Sequence, residues 1–167
     1  MSKVQNRERA LRKLAEMPKA VRRALAPAIE QGAAEIVDMQ KRLAPEDSGD
    51  LKNSIRYVKG TYTPDNANVR GVGTSGAGDP DLTVHVVAGD ASAWYARIVE
   101  FGSAPHQIKP KRAGGILKIG NRFAARANHP GAKATPFFYP AYRSLRRRVK
   151  ARITRAAKKG IKEAAGS

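Results

Sequence analysis

Between Lys19 and Leu43 the apolar residues fall at Val21, Leu25, Ala28, Ile29, Gly32, Ile36, Met39 and Leu43. Steps of three and four place them on one stripe of an α-helix. The segment therefore reads as a long helix with one buried face, and any fold for this chain must supply a surface that covers it. Pro27 lies inside the pattern and predicts a kink or a break there; Pro45 predicts the end. A shorter charged helix is expected from Val4 to Met17, stopped by Pro18. At the other end, Tyr142, Leu145, Val149, Ile153, Ala156 or Ala157 and Ile161 form a narrow apolar stripe in a helix expected from about Pro140 to Ala165, with arginines around the rest of it.

The middle of the chain is different. Ser48 and Gly49 predict a turn, with Ser48 as N-cap of a short helical turn over Asp50 to Ser54. Ile55 to Thr63 reads as a strand. Leu82 to Ala88, LTVHVVA, sets Leu and Val against Thr and His in alternation and is the clearest strand in the sequence. Gly89 and Asp90 turn it. Ala91 to Phe101 predicts a short helix, with Trp94, Ile98 and Phe101 on one face and Tyr95 and Val99 beside them. Two stretches rich in Gly, Pro, Asn or Lys, 65–81 and 104–128, read as exposed, mobile loops; Ile116 to Ile119 predicts a small strand within the second. Low aromatic content leaves the core to Ala, Val, Ile and Leu.

Charge narrows the function. The 167 residues carry a formal net charge of +18, and from Arg143 to Lys162 there are ten Lys or Arg and no acid. Self-repulsion of that size destabilises a lone compact monomer, and a counter-charged partner relieves it. Nucleic acid, an acidic protein surface and an anionic membrane are the candidates. No cysteine is present, which excludes disulfides and thiolate metal sites. No run of about 18 apolar residues exists to span a membrane, and the charged N-terminus lacks the apolar stretch of a signal peptide. The expectation is a soluble protein that stays where it is made.

Catalytic readings find little support. His85, His106 and His129 are the three histidines; none sits in an HExxH pattern, and no paired carboxylates stand out. GVGTSGAG at Gly71 to Gly78 has the small residues of a phosphate cradle but no Lys-Ser/Thr after it. Glu100, inside the apolar run YARIVEFGS, reads as a structural carboxylate. At the end of a helix it can accept backbone N–H bonds or an arginine. Gly102 after it suits a helix stop with positive φ. Pro136 and Pro140 stiffen the chain around Phe137 and Phe138. One ring is expected to close the core and the other to be free for a subunit interface. No cofactor and no metal is expected.

Three motifs carry a resemblance: AP-x-x-SG-x-L-x-x-SI at Ala44 to Ile55, YA-x-x-VEFGS at Tyr95 to Ser103, and HPG-x-x-x-x-PF-x-x-PA at His129 to Ala141. In order and spacing they resemble the HK97 gp10-like proteins of tailed bacteriophages and prophages, which act in the neck and in tail completion. Members often carry Thr where Ser48 and Ser103 stand, an exchange that keeps the hydroxyl. The resemblance covers nearly the whole chain, with 65–81 and 104–128 unassigned by it. It implies an α+β domain with a long N-terminal helix, a small antiparallel β-sheet and a basic C-terminal helix, here one domain over 1–167. It implies a virion protein without enzymatic activity, in a ring (sixfold by analogy) at the head–tail junction, between connector or stopper, tail-terminator or tail-tube proteins. Glu100 would then tie its helix to its surroundings or to a neighbouring subunit. Arg143, Arg146, Arg147, Arg148, Lys150, Arg152, Arg155, Lys158 and Lys159 would face packaged DNA or adjoining proteins, or else form only a solvated face. Two other classes compete: a non-specific nucleic-acid binder of nucleoid or ribosome type, which explains the charge but not the motifs, and a hydrolase, supported only by scattered Glu, Asp and His.

Overall fold

The computed structural model describes residues 19–64, 78–112 and 114–164. The helix expected at Val4 to Met17 and most of the loop at 65–81 lie outside these residues. The elements in order are α1 (Lys19–Leu43), α2 (Asp50–Ser54), β1 (Arg56–Lys59), β2 (Val84–Val87), α3 (Ala96–Phe101), β3 (His106–Ile108), β4 (Leu117–Ile119), β5 (Arg122–Ala124), β6 (Ala127–His129) and α4 (Phe138–Ala164). The class is α+β, as the sequence indicates.

Helix α1 runs through Pro27 without a break. Pro27 and Arg23, whose carbonyl loses its intrahelical donor, both lie on the exposed side of the helix, open to water. The buried stripe is Val21, Leu25, Ala28, Gly32, Ala33, Ile36, Val37 and Gln40. Helix α4 covers it, antiparallel. A Cβ added to Gly32 would lie 2.6 Å from Val149 Cγ1, and one added to Gly160 would lie 2.7 Å from Val21 Cα. At the far end Gln40 Nε2 donates to the Phe138 carbonyl at 3.3 Å. Two glycines, one on each helix, thus set how closely the axes approach. The α4 stripe is Ala141, Leu145, Val149, Ile153, Ala156 and Gly160; Tyr142 and Ile161, expected within it, are exposed.

Strands β1 and β2 pair antiparallel, Tyr57 opposite Val86 and Lys59 opposite Val84. Both Tyr57 and Lys59 reach Glu30 on α1: the tyrosine hydroxyl donates to Oε1 at 3.0 Å, and Lys59 Nζ stands 2.6 Å from Oε2. The alternation in LTVHVVA shows in Val86, which packs on the core. Both strands are shorter than the sequence suggests, because pairing is confined to four residues on each.

The segment 104–128 requires a correction. It is not an irregular loop: β3 pairs with β6 and β4 with β5, in two further antiparallel ribbons. Of the strand expected at Ile116 to Ile119, Leu117–Ile119 is β4. Three-residue strands with mostly exposed side chains have no apolar alternation to betray them.

The main core cluster is Val37, Ala44, Leu51, Ile55, Ala93, Ala96 and Phe137. It lies where α1, α2, α3 and the start of α4 meet. Gly49, not Ser48, is the N-cap of α2, at φ 88°. Ser48 Oγ donates to the Asp50 carboxylate at 2.5 Å and accepts from the Asp50 N–H at 3.4 Å, from the position before the N-cap.

Candidate functional site

Helix α4 begins with a problem of chemistry. The first N–H groups of any helix lack an intrahelical acceptor, and here they lie against the core, with Phe137 only 1% exposed. Glu100 solves it from the last turn of α3. Its Oε2 accepts from the N–H of Phe137 at 2.7 Å and of Phe138 at 2.8 Å, and its Oε1 accepts from Tyr139 at 3.1 Å. The next residue, Pro140, has no N–H to satisfy. One carboxylate and one proline therefore account for the whole helix start. The negative charge also sits at the positive end of the α4 dipole. Glu100 is the only carboxylate in the buried class among the described residues.

The surrounding backbone brings the two segments together. Gly102 ends α3 at φ 72° and donates to the Ile98 carbonyl at 2.7 Å. A Cβ there would meet the Ala132 carbonyl at 2.7 Å, so both its dihedral and its neighbour require glycine. Ser103 and Ala132 exchange backbone bonds at 2.9 and 3.0 Å, and Thr135 N–H donates to the Val99 carbonyl at 2.8 Å. Pro136 follows on the exposed side. The seam from Gly102 to Thr135 thus delivers Phe137 to Glu100.

Phe137 fills the core, edge-on to Phe138, with ring centroids 6.4 Å apart. Phe138 is half-buried and also packs on the core cluster. The face of Trp94, Ile98 and Phe101 expected from the spacing is an exposed aromatic surface, with Phe101 paired to Tyr139, centroids 5.9 Å apart. Phe101 is 61% and Trp94 67% exposed. The face Trp94–Ile98–Phe101 looks outward, while Ala93, Ala96 and Glu100 look in. The signal available was the pair of alanines three apart, small enough for close packing beside a carboxylate. A hollow of about 300 Å³ opens beside Arg97, Ile98, Phe101 and Gly102.

The nine cations named on α4 divide into groups. Arg152, its side chain 17% exposed, turns inward and pairs with Glu35 of α1; Arg148 reaches the same carboxylate at 3.4 Å. Arg152 is thus part of the helix seam, while Arg148 remains exposed. The Arg152 guanidinium holds Glu35 below the usual carboxylate range, its hydrogen bond outweighing partial burial. Lys159 stands 3.8 Å from Glu163. Arg143, Arg146, Arg147, Lys150, Arg155 and Lys158 are exposed and have no acidic partner among the described residues.

His106 and His129 face each other across β3 and β6, rings stacked at 5.0 Å. His129 Nδ1 accepts from Gly131 N–H at 3.0 Å, which fixes the turn before the seam. Among the described residues no group of three or more His, Asp or Glu could hold a metal ion, and no helix is long and apolar enough to cross a membrane.

These features define a small α+β module whose buried carboxylate serves backbone donors and whose longest surface helix is cationic. The family model for the HK97-gp10-like proteins, provisionally described as a bacteriophage tail component, matches residues 8–102, more than half of the chain, and the chain belongs to that family. The match takes in α1, α2, β1, β2 and α3 and ends at Gly102. The third motif, His129 to Ala141, and the whole of α4 lie beyond it. No curated protein and no solved structure matches the chain.

Proposed function

We propose that this protein is a structural component of a tailed phage or prophage particle. One copy is a subunit of a ring at the head–tail junction, and the ring joins the tail to the DNA-filled head. The family match over residues 8–102 carries this reading. The geometry supports it. Glu100, the one carboxylate in the buried class among the described residues, accepts from three backbone N–H groups, which suits a carboxylate that holds two segments together. The exposed aromatics Trp94, Phe101 and Tyr139 suit contact with neighbouring subunits, since Trp and Tyr are enriched at such interfaces.

The test is a null mutant of the phage or prophage that encodes the chain, viewed by electron microscopy. Filled heads and separate, unjoined tails are expected, and complementation should restore whole particles. Complete, infectious particles without the protein would overturn the reading.

A further inference from the structure

Among the described residues, the five cations on the outward face of α4 have no acidic partner. Counting 100° per residue, the side turned away from α1 carries Arg143, Arg147, Lys150, Arg155 and Lys158. Four of them, at steps of four, three and eight, form a line about 22 Å long at 1.5 Å per residue. All five are exposed. Ala151 and Thr154 occupy the centre of the face, and the Thr154 hydroxyl is turned to its own helix, donating to the Lys150 carbonyl at 3.0 Å. The middle of the face therefore offers no large apolar anchor and no acid; Ile161, exposed and in the same direction as Arg143, lies beyond Lys158 at the end of the line.

We infer that this face docks on the phosphate backbone of duplex nucleic acid, without sequence readout. A protein partner is the poorer fit, because protein interfaces place aromatic or aliphatic anchors at their centre, and this centre holds only small residues between cations. Duplex DNA carries one charge per 1.7 Å of axis, so a 22 Å ladder lies beside more phosphates than it has cations, and each can be neutralised. Ion pairing with Glu35 draws Arg152 to the α1 side, whereas Arg148, 3.4 Å from the same carboxylate, stays exposed at the margin of the outward face. The inference is independent of the family match, which ends before α4.

The experiment is fluorescence anisotropy of a labelled 30-base-pair duplex titrated with the purified full chain at several salt concentrations. Five phosphate contacts give a slope of log affinity against log salt of about −4.5, so affinity drops about 500-fold between 50 and 200 mM salt. The variant Arg143→Gln, Arg147→Gln, Lys150→Gln, Lys158→Gln should shrink that slope by about 3.6. A control that removes equal charge from the exposed ribbons, Lys109→Gln, Lys111→Gln, Lys118→Gln, Arg122→Gln, should leave the slope nearly unchanged. Circular dichroism confirms that both variants are folded. Equal weakening by the two variants would reduce the effect to bulk charge and overturn the proposal. So would absence of salt-dependent binding, or binding of polyglutamate as tight as that of DNA and lost in the same variant. None of these outcomes bears on whether particles assemble without the protein, so the head–tail reading stands or falls separately.

Discussion

The two ends of α4's contact with the rest of the molecule are built on opposite terms. At its start, every donor is met: three N–H groups by Glu100, the fourth position by a proline that has none. Along the seam with α1, buried polar atoms remain without a partner among the described residues, namely Glu35 Oε2, Gln40 Oε1 and Arg152 Nη1. The start is specified by hydrogen bonds, and the seam by close approach at Gly32 and Gly160. A directional joint fails when one acceptor is lost. A packed seam fails when a volume is added, and tolerates changes in its polar groups. The mutations below separate these two modes.

The largest effect is expected at the joint. Glu100→Ala removes the acceptor for three N–H groups, at least one of them in the core. At about 1–3 kcal/mol for each buried donor left unmet, destabilisation of about 4 kcal/mol is expected. Glu100→Gln keeps one acceptor oxygen and loses the charge, and should cost about 2 kcal/mol. Urea unfolding of the two variants gives both values. A loss below 1 kcal/mol for Glu100→Ala would show that the joint does not specify the fold.

Next comes Gly160→Ala. The added methyl meets Val21 Cα, a backbone atom that cannot step aside. Overpacking should exceed the helix-propensity gain of about 1 kcal/mol and leave a net loss of about 2 kcal/mol. Gly32→Ala meets a side chain instead, Val149 Cγ1, so adding Val149→Ala should rescue Gly32→Ala and leave Gly160→Ala unaffected. Rescue of both would mean that the helices slide to relieve strain, and that the glycines do not fix their separation.

The polar part of the seam should matter less. Glu35→Gln weakens the pair with Arg152 while keeping the shape, and a loss of about 1 kcal/mol is expected. Changing both partners to Met and Leu should be neutral or stabilising, since a partly buried ion pair often gives way to apolar residues at no cost. A double change worse than Glu35→Gln would make the ion pair, and not the packing, what holds this stretch together.

How much of this could be read in the sequence follows from the kind of signal each part leaves. The long helices were legible because a stripe of 25 residues repeats its period many times; Val21, Leu25, Ala28, Gly32 and Ile36 are buried as the spacing indicates. The structural nature of Glu100 was legible from its apolar setting, but its three partners were not, because they lie 37 to 39 residues away. The four strands between His106 and His129 were hidden because three-residue exposed strands carry no alternation. The inward turn of Arg152 was hidden too. A stripe of Leu145, Val149 and Ile153 marks one side of α4, and only the position of Glu35 on another helix shows that an arginine at its margin is buried with it.

The smallest effect is the dependence on pH, and it sharpens the same contrast. Glu35 is held below its ordinary value of 4.5 by the hydrogen bond from Arg152, and Glu30 by the hydrogen bonds first of Lys59 and then of Tyr57. A carboxylate whose folded pKa is depressed adds stability that is complete above its unfolded pKa and is lost as pH falls through the folded one. Both contributions should therefore be constant from pH 7 to 5 and disappear below 4.5. Lys59 and Tyr57 are raised above 10.5 and 10.0 by the same Glu30 carboxylate, so their contribution is complete below pH 10 and is lost as pH rises further. Lys59 and Glu30 stand largely in solvent, where screening keeps their effect small; Glu35 and Arg152 are partly buried. Unfolding midpoints of the parent and of Glu30→Gln, Glu35→Gln should converge as pH drops from 5 to 3. If the gap between them stays constant over that range, the two carboxylates act through shape alone, and the seam is as insensitive to charge as its glycines suggest.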